Sequence, residues 1–272
     1  MQHQEVEPPE PLRGAIKDFW YIRRDFDERQ PSFEVAPDGY AEIIFYFGSA
    51  CSIATPGGWQ LLPSPFLVGL LNTPVLFHAP NRLEIIGIKC FPWAVFELLD
   101  LPAGKGGVRS IEHPIAQLQA PLTKWIQAGN VAEALAEVTR YFLDARSQMA
   151  SDRLLGKAGG AMRAANGTLP VSQVAAAAHA TVRTLERKFK QAAGHTVKDV
   201  SGLMRFEQAR NQLWLHPAAN LAGLAQELGY TDQSHLGREF KRYSGTTPAA
   251  FARKATRWQQ AVGNDFVAFV LA

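Results

Sequence analysis

In the first part of the chain, the apolar positions form short runs that are separated by turn residues. The runs are GAIKDFWYI, YAEIIFYFG, GGWQLLP, PFLVGLL, PVLFHAP and RLEIIGIKCF, in chain order. Short runs rich in β-branched and aromatic residues, with Pro, Gly and Asn between them, are typical of antiparallel strands. We therefore expect roughly the first hundred residues to form an antiparallel β barrel or sandwich.

From Trp93 onward the apolar positions recur with the period of a helix. The segment WAVFELLD predicts one short helix, and residues 115–127 and 130–148 predict two amphipathic helices. The stripe of the last helix consists of Val131, Leu135, Val138 and Phe142. These trailing helices either cover the barrel or pair with a second copy of the chain, which would form a homodimer.

Beyond about residue 153 the whole chain is predicted to be helical, with Gly or Pro at the breaks. The expected fold class is α+β with two domains, since a β-rich part with trailing helices precedes an all-α part. We expect the first domain to span residues 1–146, the second residues 147–258, and an apolar tail residues 259–272. The tail sequence NDFVAFVLA is expected to pack on the body of the protein.

The helical half contains one pattern twice. LERKFKQAAGHT begins at Leu185 and LGREFKRYSGTT begins at Leu236, so the two copies are 51 positions apart. The apolar positions that precede each copy are only 50 apart, so one residue is inserted in the turn around Gly229 and Tyr230. Each copy is therefore a helix, a tight turn and a second helix. The second helix opens with a capping residue, Thr181 in the first copy and Thr231 or Asp232 in the second.

A helix-turn-helix unit places its second helix in the major groove of DNA. The apolar residues fix one face of that helix, so the opposite face offers the candidate contacts. We predict DNA contacts for Thr181, Arg183, Glu186, Arg187, Lys190, Gln233, Ser234, Arg238, Lys241 and Arg242. Arg can bind guanine with two hydrogen bonds, Gln can bind adenine, and Lys neutralises phosphate. The alternative, two merely solvated helical hairpins, is disfavoured by the doubled basic pattern.

The segment between the two units predicts one linking helix. It reads VKDVSGLMRFEQARNQLWLH and ends at Pro217. Its apolar stripe consists of Leu203, Phe206, Ala209, Leu213 and Trp214. About 19 residues at roughly 1.5 Å each span about 28 Å. Since successive entries to the major groove lie about 34 Å apart, one chain can hold two recognition helices near adjacent turns of one duplex.

Charge is distributed unevenly along the 272 residues. Residues 1–150 carry 12 Lys and Arg against 17 Asp and Glu, whereas residues 151–272 carry 16 against 8. The second half therefore has a net charge of +8 and suits a polyanion such as double-stranded DNA. The N-terminus is polar and acidic, and no apolar run reaches the roughly 18 residues of a membrane span. We expect a cytoplasmic protein that does not enter a membrane.

These motifs resemble the DNA-binding domain of the AraC/XylS family of bacterial transcription regulators, over residues from about 153 to 256. The resemblance rests on LERKFKQAAGHT, RFEQARNQL and LAQELGYTDQSHLGREFKRYSGTTPAAF. It implies a seven-helix domain that contacts two adjacent major grooves, and activation of transcription through RNA polymerase. The sequence departs from the family pattern at Leu236, where an aromatic residue is usual, and at Gly237, which offers no side chain to a base.

Residues 12–112 are similar to the N-terminal region of a subgroup of these regulators, a β-rich segment that serves sensing or association. We expect this region to adjust activity by binding a small-molecule effector or a protein partner. Candidate ligand-binding residues are Trp20, Tyr40, Phe45, Phe47, Trp59, Phe77 and Trp93, which could line an apolar cavity. The alternative is that these aromatic side chains only fill the core.

No cofactor, metal site or enzymatic activity is predicted. Cys51 and Cys90 lack a CxxC spacing and are interpreted as small buried hydrophobic residues. The sequence contains no GxSxG, HExxH or phosphate-loop motif. Two alternatives to the effector domain stay open: an enzymatic domain like those of DNA-alkylation repair proteins, and a domain that binds only proteins.

Overall fold

The computed structural model describes residues 2–25, 32–99, 101, 107–147, 153–262 and 269–270. Its fold class is the one predicted: antiparallel sheets with trailing helices come first, and a helical domain follows. The predicted domain boundary near residue 147 lies next to residues 148–152, which are outside the described residues. Helix α10 continues to Val262, past residue 258, where the helical domain was predicted to end.

The described strands form two sheets, and every pair of neighbouring strands is antiparallel. In the described residues the first sheet has the order β1-β2-β9-β4-β7-β10 and the second the order β11-β3-β8-β5-β6. The strands are β1 (Gln2–Val6), β2 (Ile16–Asp25), β3 (Ser32–Val35), β4 (Ala41–Tyr46), β5 (Ser52–Thr55), β6 (Gly58–Leu61), β7 (Phe66–Val68), β8 (Val75–His78), β9 (Arg82–Cys90), β10 (Val108–Ser110) and β11 (Phe269–Val270).

The first sheet is buried on both faces, as strand β2 illustrates. Trp20 and Ile22 join the core between the two sheets, whereas Phe19 and Tyr21, which alternate with them, join the core beneath the helices. Successive side chains of a strand point to opposite faces of the sheet. A run of apolar residues without polar ones between them therefore fits a strand that is buried on both faces. The ring of Phe142 lies 6.2 Å from that of Phe19 on the helical side.

The helices begin and end close to the predicted positions. They are α1 (Val95–Leu98), α2 (Gln119–Gln127), α3 (Val131–Ser147), α4 (Arg153–Ala164), α5 (Val171–Ala177), α6 (Val182–Ala193), α7 (Val197–Leu215), α8 (Leu221–Glu227), α9 (Gln233–Ser244) and α10 (Pro248–Val262). Two 3₁₀ turns, Glu10–Leu12 and Pro114–Leu118, precede β2 and α2. The predicted stripe of α3 is buried within its own chain, so this helix covers the first sheet.

One prediction about the C-terminal part is wrong. Residues beyond 153 were expected to be helical throughout, but Phe269–Val270 form strand β11 and pair with Val35 and Glu34 of β3. The sheet of the first domain therefore includes two residues from the end of the chain. A two-residue strand has no periodic pattern of its own, so the sequence could not reveal it.

The described residues of the two domains are in contact around Trp93 and around Arg210. Trp93 stacks on Phe91, with ring centroids 5.1 Å apart, and lies 5.9 Å from Phe189 of α6. Helix α4 comes close to the same indole at Gly159, where a Cβ would overlap the ring. At the second place Arg210 of α7 donates a hydrogen bond of 3.1 Å to the carbonyl oxygen of Pro37. The β-rich domain thus contacts both the first recognition helix and the linking helix.

Candidate nucleic-acid interface and interdomain cavity

Helices α5 and α6 form the first predicted helix-turn-helix unit. Thr181 caps α6, because its hydroxyl accepts a hydrogen bond of 3.1 Å from the backbone N–H of Thr184. Leu185 and Phe189 are fully buried and hold α6 against the core. The turn before α6 passes through His179, whose φ of 52° lies in the left-handed region.

Helices α8 and α9 form the second unit with the same construction. Asp232 caps α9 and accepts a hydrogen bond of 2.7 Å from the N–H of His235, which decides between the two predicted caps. Gly229, with φ of 70°, takes the place of His179. Residues 178–181 connect the first pair of helices and residues 228–232 the second, so the inserted residue lies in the turn, as predicted.

The outer faces of α6 and α9 are open to solvent and basic. Among the predicted contacts, the exposed residues are Thr181, Arg183, Arg187, Lys190, Gln233, Ser234, Arg238, Lys241 and Arg242. Glu186 is half-buried. Each helix therefore presents a row of cationic and hydrogen-bonding side chains opposite its buried face, as a helix that enters a major groove must.

Helix α7 joins the two units as one element of 19 residues, and the predicted stripe on it is buried. Arg205 of α7 fixes α9 through its Nη2, which lies 3.2 Å and 3.3 Å from the two carboxylate oxygens of Glu239. The ring of Phe206 packs on that of Phe240 at 5.1 Å. Arg205 and Glu239 were not predicted from the sequence, because an ion pair between two helices leaves no periodic signal.

A cavity of about 180 Å³ lies between the β-rich domain and α7. Of the seven aromatic residues predicted to bind a ligand, Trp20 and Tyr40 line it, and Trp20 and Phe77 line a smaller space of about 30 Å³ between the sheets. The remaining four are dispersed. Phe45 is buried in the core, Phe47 is partly buried, Trp59 is 51% exposed, and Trp93 lies at the domain interface.

The polar wall of this cavity contains charged groups that were not predicted to belong to a binding site. Lys89 Nζ lies 3.5 Å from Asp38 Oδ2 and 3.2 Å from Glu42 Oε1. Burial and the neighbouring Asp38 raise the pKa of Glu42 to about 7, although Lys89 opposes the shift. Burial and Asp38 also raise the pKa of Glu207, which reaches the cavity from α7. Burial would lower the pKa of Lys89, but the surrounding carboxylates raise it well above its ordinary value.

Two family models match the chain. Residues 174–254 match a family described as a helix-turn-helix domain, and residues 4–110 match a domain of unknown function, DUF6597. Residues 174–254 form a helix-turn-helix domain of the AraC type. Its match begins within α5 and ends within α10, and it includes both recognition helices and α7. Membership of this domain type supports DNA binding in the regulation of transcription.

Several solved structures are similar to the chain, while no curated protein is a significant match. ToxT from Vibrio cholerae O395 is 9% identical, with 88% of this chain and 98% of ToxT covered and a TM-score of 0.47. The DNA-binding domain of AdpA, solved in complex with a target DNA, is 23% identical over 41% of this chain and 99% of that one, with a TM-score of 0.37. The C-terminal domain of AraT, a response regulator from Geobacillus stearothermophilus, is 22% identical over 38% and 88%, with a TM-score of 0.34.

Some of the predicted contacts in the helix-turn-helix domain have hydrogen bonds within the chain. Glu186 Oε2 accepts a hydrogen bond of 3.2 Å from the N–H of Val197, the first residue of α7. Thr181 is engaged as the cap of α6. Thr181 and Glu186 therefore position the recognition helix. Arg187 and Arg238 lie on exposed faces, where Arg187 Nη1 donates a hydrogen bond of 3.4 Å to Gln191 Oε1 on the same helix.

The two cysteines, Cys51 and Cys90, lie in the β-rich domain and are buried. Burial raises the pKa of Cys51 to about 12 and also raises the pKa of Cys90, so the thiolate form is scarce at neutral pH. Among the described residues, no group of three or more His, Cys, Asp or Glu side chains is placed to hold a metal ion. The part of the chain that the structure describes has no helix long and apolar enough to cross a membrane.

Proposed function

We propose that this protein is a sequence-specific regulator of transcription that places α6 and α9 in adjacent major grooves of one DNA duplex. The observation that carries the proposal is the pair of equivalent, capped and solvent-exposed basic helices on one rigid helix, α7. Arg187 and Arg238 occupy equivalent places in the two units. We assign both to base edges, since Arg is well suited to guanine.

The other exposed side chains take two kinds of role in this proposal. Arg183, Lys190, Lys241 and Arg242 neutralise phosphates and set the register of the protein on the duplex. Gln233 and Ser234, at the start of α9, offer hydrogen bonds to bases. The first unit then depends more on ionic contacts, and the second on Gln233 and Arg238.

In the same proposal the β-rich domain adjusts DNA binding in response to an effector or a protein partner. Its contacts with α6 through Trp93 and Phe189, and with α7 through Pro37 and Arg210, support this role. A change on the β-rich side of either contact would act on an element that positions a recognition helix. The resemblance to AraC/XylS regulators extends the proposal to activation through RNA polymerase.

The test is binding of the full chain to a DNA site selected from a random pool, measured by fluorescence anisotropy. We expect one site of roughly 15–20 base pairs, bound with an affinity that falls steeply with salt. Arg187→Ala and Arg238→Ala should each weaken binding by about 1–3 kcal/mol and relax the base preference in one half of the site.

The matched control is Arg140→Ala, since Arg140 is exposed on α3 and pairs with Glu137 on the same helix. This variant should bind the selected site as the wild type does. The proposal would be contradicted if the selection returned no preferred sequence. It would also be contradicted if both interface variants lost as much affinity for random DNA as for the selected site.

A further inference from the structure

The cavity between the β-rich domain and α7 has one apolar wall and one charged wall. Its apolar part is lined by Ile22, Val35, Val68 and Leu71 of the β-rich domain. Its polar part combines side chains of that domain with Glu207, Arg210 and Asn211 of α7. At about 180 Å³ it has room for a small organic molecule with a polar end.

Negative groups outnumber positive ones on the polar wall. Three largely buried carboxylates line the cavity, those of Asp38, Glu42 and Glu207, against the cations Lys89 and Arg210, whereas Glu5 and His3 form an exposed pair at its edge. Lys89 is already shared between Asp38 and Glu42, at 3.5 Å and 3.2 Å. The guanidinium of Arg210 donates to the carbonyl oxygen of Pro37, and its charge opposes the rise in the pKa of Glu207. When Asp38, Glu42 and Glu207 are all ionised, this largely buried wall has three negative groups against two positive ones, and a further cation is favoured there over protons on the carboxylates.

Two further observations point in the same direction. Burial and the carboxylate of Asp38 raise the pKa of both Glu42 and Glu207, and a nearby positive charge would relieve this. Asn211 adds a buried amide oxygen, Oδ1, that accepts no hydrogen bond from any described residue. A buried acceptor without a donor is costly, and an N–H group in the cavity would satisfy it.

We propose that this cavity binds a small organic cation, with an ammonium group at Glu42, Glu207 and Asn211 and an apolar body against Ile22, Val68 and Leu71. The inference names the effector class of the β-rich domain, so it rests on the proposed regulatory function. Since Glu207 and Asn211 belong to α7, an occupant contacts the helix that joins both recognition units. An anion would meet the carboxylates, and a neutral molecule would leave the surplus charge uncompensated.

The experiment uses the full chain and three probes of one shape that differ in their polar group: benzylamine, benzyl alcohol and benzoate. Binding is measured by titration calorimetry and by the shift of the melting temperature, at matched ionic strength. Benzylamine should bind and raise the melting temperature, because a ligand that binds the folded state stabilises it. Benzyl alcohol and benzoate should bind at least about tenfold more weakly, since a charge-assisted hydrogen bond is lost.

Two variants locate the site, and a third serves as the control. Glu207→Gln and Glu42→Gln keep the side-chain shape and should each weaken benzylamine binding about fivefold or more. Glu133→Gln, on the exposed face of α3, should leave it unchanged. Glu207 takes part in no helix cap, so its variant keeps the test valid even if Glu42→Gln impairs folding; circular dichroism checks both.

Three outcomes would overturn the inference: no binding of millimolar benzylamine, equal binding of benzyl alcohol, or unchanged benzylamine affinity in Glu207→Gln. DNA binding of the same preparation separates this failure from failure of the proposed function. If the chain binds its selected DNA but binds the three probes equally, it lacks the cation site and remains a regulator. A chain that binds benzylamine selectively but prefers no DNA sequence keeps the site and loses the proposed function.

Discussion

At the scale of single residues, Gly87 shows how one position can fix the packing of the β-rich domain. It lies on β9 directly opposite Trp20 of β2, and the indole of Trp20 covers it. A Cβ at this position would overlap the ring. Because Trp20 lines both the space between the sheets and the interdomain cavity, Gly87 also sets the shape of the candidate effector site.

Gly87→Ala should destabilise the protein by roughly 1–3 kcal/mol, since the indole has to leave its place in a packed core. The matched control is Gly156→Ala in α4, where a Cβ meets no atom within 4 Å. That change should be neutral or stabilise by about 0.5–1 kcal/mol, because Ala favours the helix. Urea unfolding of the two variants measures both effects, and equal stabilities would refute this account of Gly87.

At the scale of elements, the orientation of α9 on α7 decides where the second recognition helix lies. Arg205 connects three segments: its Nη1 donates to the carbonyl oxygen of Gly167 at 2.9 Å, and its Nη2 contacts Glu239 of α9. The side chains of Arg205 and Glu239 are only 15% and 16% exposed. Loss of one partner would leave a largely buried charge unpaired, which is more costly than loss of a surface pair.

Arg205→Ala should therefore lower the free energy of unfolding by about 3 kcal/mol. Arg140→Ala removes an Arg–Glu contact at an exposed site and should cost less than about 1 kcal/mol. Chemical denaturation compares the two directly. A similar small loss in both variants would show that the Arg205–Glu239 contact does not fix the two helices.

At the scale of the whole molecule, the charged cluster at the domain interface couples stability to pH. The pKa of Glu42 is raised from 4.5 to about 7, so the folded protein holds a proton that the unfolded chain releases. Between about pH 4.5 and 7 the folded state binds more protons than the unfolded state. The contribution of Glu42 to the stability of the folded protein therefore falls as pH rises through this window.

Glu42→Gln should reduce this fall by about 1–3 kcal/mol between pH 5 and 7.5, because the variant has no proton to release at this position. Burial lowers the pKa of His195, so this residue makes stability rise with pH. The effect is the same in the wild type and in the variant. Urea unfolding at the two pH values, with Glu133→Gln as the control, measures the difference. The same pH dependence in wild type and Glu42→Gln would contradict the assignment.

Much of the helical half could be predicted from the sequence because its signals are local. The repeat, the stripe of α7, and the inserted turn residue near Gly229 all follow from spacing along the chain. The longer strands were predicted for the same reason. Strand β1 was missed, since its sequence QHQEV forms a largely exposed edge strand with no apolar alternation. Strand β3, SFEV, was also missed, since Phe33 is the one residue of the strand that is fully buried.

By itself, then, the sequence determined the two helix-turn-helix units and their connecting helix, because period, caps and turns lie within a few residues of one another. Only the tertiary structure decided which distant residues meet. It joined Glu42 of β4 to Glu207 of α7 around one cavity, and it directed Glu186 to the start of α7. It dispersed the aromatic residues that composition had suggested as one site. Such contacts depend on how sheets and helices pack in space, which a one-dimensional pattern does not encode.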